Sequence, residues 1–285
     1  MLNFKSITAQ EINTSPKLSG NGKAWALGNL EYINKPMPRV FSSSVKVAKG
    51  NEKRTTRVLY LAPAGSISKA TLCHMAEAAG CEKDCLTHSG MLGLPAGQDA
   101  SAKRTVLYLL RRDAFLYALS EEIHKGERKA LKEGVPALWR LNGTSDINWL
   151  GFIQDHPESE FYDYSKSLSY TRNGNALANY DVTYSGSMFS EQSRRALGKA
   201  VKRGVRIAVA YNSKGIKGDT LPLPQGDLIP SFDVTDLRPL DGQVMGYLSR
   251  KGSNKAQRAR ENKVFNSFFI TEANIEAFKT ITGAK

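Results

Sequence analysis

Short apolar runs alternate with polar loops through the middle of the chain. The runs lie at residues 57–63, 135–141, 161–166, 179–187 and 205–211, and each ends in a polar segment. Helical periodicity fills part of the intervals: residues 104–125 place Phe115, Leu119 and Ile123 on one face, and a basic helix at 190–203 precedes Gly204. Strand, polar loop and helix in alternation are typical of βα units around a parallel sheet.

Such sheets carry their functional groups at the carboxyl ends of the strands. We therefore predict an α/β fold built as a full or partial βα-barrel of the TIM-barrel kind, with the polar loops meeting on one face. Proline, glycine, serine and asparagine are scattered through residues 1–55, which predicts an irregular N-terminal arm with short strands. The barrel-like domain would span residues 56–250, and residues 251–285 would form a basic C-terminal segment.

The three cysteines of the 285-residue chain lie close together. Cys73, Cys81 and Cys85 fall within thirteen residues, in the spacing C-x7-C-x3-C, just after the first predicted strand. They could pack simply as small hydrophobic side chains. An odd number of cysteines disfavours disulfides, and the first ten residues show no apolar signal segment. A cytoplasmic protein is therefore expected, where clustered thiols more often bind metal or take part in catalysis.

Two metal centres suit three cysteines. Structural zinc has four ligands, so His74 or His88 would have to complete the set. Thiolates also hold iron–sulfur clusters, and three of them on a four-iron cluster leave one iron open to a substrate or cofactor. We predict a 4Fe-4S cluster, with zinc as the alternative.

The composition allows a full hydrophobic core, since 41% of the residues are hydrophobic and 24% are charged. No stretch approaches the roughly 20 apolar residues of a membrane helix. The net charge of +13 favours polyanionic partners, nucleic acid first, although the charge could also serve solubility alone. Basic residues concentrate after position 249, and the candidate phosphate contacts are Arg250, Lys251, Lys255, Arg258 and Arg260.

The polar loops supply the remaining candidate site residues. We expect a polar shelf for a ribose, an amine or a second metal, and candidate cofactor contacts are Asn142, Gly143, Thr144, Ser145, Ser185 and Asn212. Asp146, Tyr164 and Lys166 are the candidate catalytic residues, with Tyr164 as a proton carrier and Lys166 as a phosphate or carboxylate contact. Alternatively, Asp146 caps the following helix and Lys166 is merely solvated.

Four strings resemble, in order, a family of bacteriophage and prophage proteins called gene-product-88-like. They are Arg140-Leu-Asn-Gly-Thr-Ser-Asp146, Phe161-Tyr-Asp-Tyr-Ser-Lys166, Asn179-Tyr180 with Thr183 and Ser185, and Asp233 with Asp236 and Arg238. The likeness runs from about Cys73 to Gly252. It implies a phage origin, hence the cytoplasm of an infected bacterium, and a shared site.

The chain also resembles, more weakly, the radical S-adenosylmethionine barrel. Those enzymes carry cluster cysteines after the first strand and a Gly-Gly-Glu-Pro-like loop after the second, and residues 73–85 and 142–146 occupy these places. The family spacing is C-x3-C-x2-C, from which this chain departs, and Glu-Pro is missing. This resemblance implies an iron–sulfur enzyme with S-adenosylmethionine as a possible cofactor. Together with the positive charge, it favours a role linked to nucleic-acid metabolism.

Two other function classes fit parts of the sequence. One is a zinc-containing nucleic-acid-binding protein, in which His88 would complete a Cys-Cys-Cys-His set. The other is a replication nickase, because Tyr162-x3-Lys166 resembles the tyrosine–lysine motif of rolling-circle initiators. The four histidines never form the His-hydrophobic-His motif of those enzymes, so the nickase ranks third.

Overall fold

The computed structural model describes residues 2–42, 54–88, 90–212, 220–222, 228–230, 245–250 and 255–283. The chain forms two compact units. The first unit consists of Met1–Ala48, Glu52–His74 and Cys85–Phe161, and the second of Lys49–Asn51, Met75–Asp84 and Tyr162–Lys285. The cysteine segment is therefore divided: Cys73 and Cys85 belong to the first unit and Cys81 to the second.

Within the described residues, six strands form one parallel sheet. They are β1 Thr55–Val58, β2 Ala137–Arg140, β3 Glu160–Ser165, β4 Tyr180–Gly186, β5 Ile207–Tyr211 and β8 Met245–Ser249, and a separate antiparallel pair consists of β6 Thr220–Pro222 and β7 Leu228–Pro230. The order β1-β2-β3-β4-β5-β8 follows the chain. This is the strand order of half a βα-barrel, because a doubly wound sheet reverses its order. The predicted α/β fold with a partial barrel is confirmed at this level.

Helices connect the strands. The α-helices are Ala9–Thr14, Gly20–Gly28, Leu30–Asn34, Ala76–Ala79, Pro95–Leu110, Arg112–Glu133, Leu150–Gln154, Leu168–Gly174, Glu191–Lys202, Lys255–Glu261 and Ile275–Thr282, and the 3-10 helices are Glu82–Asp84, Leu86–His88 and Gly90–Gly93. None of those in the described part of the chain has the length and apolarity needed to cross a membrane.

The single helix predicted at residues 104–125 is two helices that meet at Arg111. The backbone leaves the helical region there, with φ −132° and ψ 45°. The Arg111 guanidinium donates to the carbonyls of Lys5 and Ser6 at 3.0 and 2.7 Å and pairs with Glu11. These contacts, made to a segment about a hundred residues away, hold the bend that periodicity alone does not reveal.

The N-terminal region contains three helices that the sequence did not predict. The predicted short strands rested on a weakly alternating stretch around residues 40–47. Thr8 caps the first helix through a reciprocal pair of bonds with Glu11, and the Ser19 hydroxyl accepts from Gly22 N to cap the second. Ile12 and Ile33 are fully buried. Polar caps and buried aliphatic residues thus decide the local structure despite the many small residues. Positions 43–47 of the alternating stretch lie outside the described residues.

Each unit has its own core. In the first, the centres of the Trp139 and Phe41 rings lie 4.9 Å apart, and the Trp139 indole N–H donates to Glu127 Oε1 at 2.6 Å. In the second, Leu197 and Phe278 of two amphipathic helices pack with buried residues of β4, β5 and β8. These cores support the strands whose carboxyl ends carry the polar loops.

Candidate functional site

The loop after β2 is organised by one amide. Asn142 Oδ1 accepts from Ser145 Oγ at 2.9 Å, Ile147 N at 2.9 Å and Trp149 Nε1 at 3.2 Å, while Asn142 Nδ2 donates to Ile147 O at 3.0 Å. Asn142 and Ser145 are both buried. The Asn142 amide therefore fixes the conformation of the loop from residue 142 to residue 149.

Gly143 and Thr144 join this loop to the segment that follows β1. Gly143 N donates to Leu59 O at 3.1 Å, and Thr144 Oγ1 donates to Leu61 O at 2.6 Å. A Cβ atom on Gly143 would lie 2.7 Å from that Leu59 oxygen and 2.6 Å from a Val58 methyl carbon, so only glycine fits. The string predicted to bind a cofactor thus builds the loop itself.

Cys73 is held against the end of this loop. Its backbone forms a parallel bridge with Asp146, whose N–H donates to Leu72 O at 2.8 Å. The Cys73 thiol lies 3.5 Å from Thr144 O. The following helix begins at Leu150 with Trp149 at its N-cap position, so Asp146 does not cap it. The start of the cysteine segment is therefore fixed at the carboxyl end of β2.

Cys81 lies in the second unit, on a segment held by the loop after β4. The hydroxyls of Ser190 and Ser193 both donate to Ala78 O, at 2.6 and 2.7 Å, and Ser187 Oγ donates to Ala79 O at 2.7 Å. Gly80 turns the chain with φ 66° directly against the Phe189 ring. The backbone around Cys81 is thereby fixed at the carboxyl end of β4.

An ion pair holds the same segment to the end of β8. Arg250 Nη2 donates to Asp84 Oδ1 at 2.6 Å, and Arg250 Nη1 donates to Asn212 Oδ1 at 3.1 Å. The Arg250 side chain is 2% exposed. Asn212, at the end of β5, donates to Arg258 O and Asn262 Oδ1, both at 2.8 Å. Arg250 and Asn212, the predicted contacts for nucleic acid and a cofactor, are both buried, and their bonds support the segment that carries Asp84.

The three cysteines are partly exposed, and none is in a disulfide. Across the residues that the structure describes, no three His, Cys, Asp or Glu side chains are placed to hold one metal ion. Zinc requires its donors to converge at about 2.3 Å from a single point. The alternative of a zinc site is therefore not supported by the described side chains.

The ends of β3 and β4 carry the other candidates. Tyr164, Lys166 and Ser185 are partly buried, and the Lys166 ammonium lies 5.5 Å from the centre of the Phe268 ring. Tyr162 is fully buried, which does not suit a nickase nucleophile that must reach a DNA phosphate.

A buried hydrogen-bond network links β3 and β4. Tyr180 donates to Asp163 Oδ2 at 3.1 Å and bonds the Tyr170 hydroxyl at 2.9 Å. Burial raises the pKa of Tyr180 well above its ordinary value, and the neighbouring Asp163 carboxylate adds to this effect. We did not predict this network, although a carboxylate inside a run of strand-forming aromatic residues is a sequence signal for one.

Residues 41–265 match the family described as gene product 88. The chain belongs to the gene product 88 family. The match supports the first resemblance found in the sequence and gives no support to the radical S-adenosylmethionine one. Comparison with the curated proteins and with the solved structures gives no match.

The gene product 88 match covers all strands of the sheet and the whole cysteine segment. The match also covers predicted residues that lie outside the described part of the chain. They are Asp233, Asp236, Arg238, Lys251 and the side chain of Lys255. Arg258 is partly buried and Arg260 is exposed on the helix Lys255–Glu261. Asp84 was missed by sequence reasoning, although it directly precedes Cys85.

Proposed function

We propose that this gene product 88 protein is an iron–sulfur protein whose cluster is bound by Cys73, Cys81 and Cys85. One observation carries the proposal: within the first unit, the cysteine segment begins at the carboxyl end of a parallel strand, where the backbone of Cys73 forms a bridge with Asp146 after β2. This is the edge at which βα folds place their ligands.

The donor set favours a cluster over a single ion. Three thiolates of an iron–sulfur cluster each bind a different iron, so they do not have to converge on one point as zinc ligands do. The weak contacts of the Cys73 and Cys81 thiols with Thr144 O and Ala76 O, at 3.5 and 3.8 Å, are exchanged easily for a bond to iron. Both backbones are meanwhile held by stronger hydrogen bonds.

A four-iron cluster bound by three thiolates supplies one iron able to bind a small molecule, which suits a barrel-type enzyme of the kind that also binds S-adenosylmethionine. Asp146 is a candidate for acid–base chemistry, because its backbone forms a bridge with that of Cys73. Tyr164 and Lys166, at the carboxyl end of β3, are candidates for contacts with the substrate.

Anaerobic purification tests this proposal. The protein should be brown, absorb near about 400 nm and contain iron and sulfide, and serine at any one of the three cysteine positions should reduce the iron content. The control is His88→Ala, on an exposed residue near the cysteines. It should keep iron under this proposal but lose metal if His88 completes a zinc site. Colourless protein with one zinc per chain, or with no metal, would contradict the proposal.

A further inference from the structure

A row of phenylalanines in the second unit lies against basic side chains. The Arg194 guanidinium carbon is 5.3 Å from the centre of the Phe265 ring, Lys166 Nζ is 5.5 Å from that of Phe268, and the Arg250 guanidinium carbon is 4.3 Å from that of Phe269. Lys166 follows β3 and Arg250 follows β8. The row therefore crosses the carboxyl ends of these strands.

One phenylalanine of this row, and a second one after β4, are exposed. Phe269 is buried, whereas Phe265 is 44% exposed and Phe189, after β4, is 38% exposed. Arg194 joins these two phenylalanines, because its Nη1 donates to Phe189 O at 3.4 Å and to Asn266 Oδ1 at 3.0 Å. We call Phe189, Arg194 and Phe265 the aromatic–arginine group. It combines two partly exposed apolar rings with one guanidinium that contacts the Phe265 ring and the Phe189 backbone.

The surroundings of this group are strongly basic. Exposed cations lie on the helix Glu191–Lys202, on the residue that follows it and just before Phe265: Arg195, Lys199, Lys202, Arg203, Arg260 and Lys263. The two acidic side chains nearest in sequence already have partners, since Glu191 pairs with Arg195 and Glu261 accepts from Ser267. The excess of exposed cations, of which Arg195 is paired with Glu191, favours an anionic partner for the rings.

Unpaired nucleotides combine these two properties. Their bases stack on aromatic rings and on guanidinium planes, and their phosphates bind lysine and arginine. A duplex hides its base faces and would use the charge alone. We propose that the aromatic–arginine group binds single-stranded nucleic acid. This proposal is independent of the iron–sulfur proposal, because it uses none of the cysteines.

The test measures binding of the full-length protein to a fluorescent oligo-dT of about 20 nucleotides. Phe265→Ala should weaken binding at least about fivefold, since one stacked base is lost, and Phe265→Trp should retain it. Lys263→Gln should reduce the slope of log affinity against log salt by about 0.7, the share of one phosphate contact. Because Phe265 and Lys263 are exposed, these variants should melt like the parent protein.

Matched controls lie in the first unit. Tyr117→Ala removes an aromatic side chain that is 69% exposed, and Lys132→Gln removes an exposed cation, and both should bind oligo-dT as the parent protein does. The proposal is overturned if Phe265→Ala binds like the parent, if a duplex of equal length binds as tightly as the single strand, or if no binding occurs at about 50 mM salt.

Discussion

At the scale of single residues, Asn142, Gly143 and Thr144 build the loop after β2 through buried contacts. The Asn142 amide makes four bonds within its own loop, and Thr144 binds the segment after β1. Buried polar groups with all their partners specify one conformation. This loop in turn supports Cys73, through the backbone bridge at Asp146 and through the contact of the thiol with Thr144 O at 3.5 Å.

Gly143→Ala tests this role. The new methyl group would meet Leu59 O at 2.7 Å and a Val58 methyl carbon at 2.6 Å, so we expect a loss of about 1–3 kcal/mol in the free energy of unfolding, measured with urea. Gly151→Ala is the control, because no atom lies within 4 Å of its added carbon and alanine favours the helix. Equal stability of the two variants would refute the tight approach at Gly143.

At the scale of elements, the segment Met75–Asp84 is held more by its neighbours than by itself. Its helix, Ala76–Ala79, has a single turn, and a helix this short is not stable alone. Side chains after β4 and the pair between Arg250 and Asp84 provide the support. The position of Cys81 thus depends on residues more than a hundred positions away.

Arg250→Gln should release this segment. Its loss leaves the Asp84 carboxylate without its cation, and we expect the protein to be destabilised by about 2–4 kcal/mol, less than for a fully buried pair because Asp84 is partly exposed. Amide hydrogen exchange of residues 75–84 should become faster. Arg195→Gln, which breaks an exposed pair with Glu191, should change neither quantity measurably. Unchanged hydrogen exchange of residues 75–84 in Arg250→Gln would show that the pair with Asp84 does not hold this segment.

At the scale of the whole molecule, buried tyrosines limit stability in alkali. Burial raises the pKa of Tyr184 to about 12, from 10.0. The folded state therefore favours the neutral phenol, so this contribution to stability is complete below pH 10 and is lost as the pH rises towards 12. The loss amounts to about 3 kcal/mol at most.

Tyr184→Phe should remove the part of the pH dependence of stability that comes from Tyr184. Between pH 7 and pH 11 the variant should lose less unfolding free energy than the parent protein, since phenylalanine has no proton to release. Urea unfolding at the two pH values measures the difference. Parallel losses in both proteins would show that Tyr184 does not contribute.

The sequence predicted elements better than it predicted roles. Five of the six strands in the sheet overlap the apolar runs of the sequence, and the helix after Ser190 follows from capping, which neighbouring residues determine. The break at Arg111 and the pair between Arg250 and Asp84 depend on contacts across about 100 and 166 positions. The contacts of Asn142 within its own loop could not be predicted, because a polar residue in a loop looks the same in sequence whether it binds a ligand or its own backbone.

Strand order also has a consequence for synthesis. From β2 to β5, each strand pairs with the strand made just before it, so the sheet can grow as the chain leaves the ribosome. β1 must wait for its partner, because two long helices are made before β2. A nascent chain that ends at Tyr211 exposes β5 as an open edge, the kind of edge on which chains aggregate. The synthesis of Met245–Ser249 closes that edge.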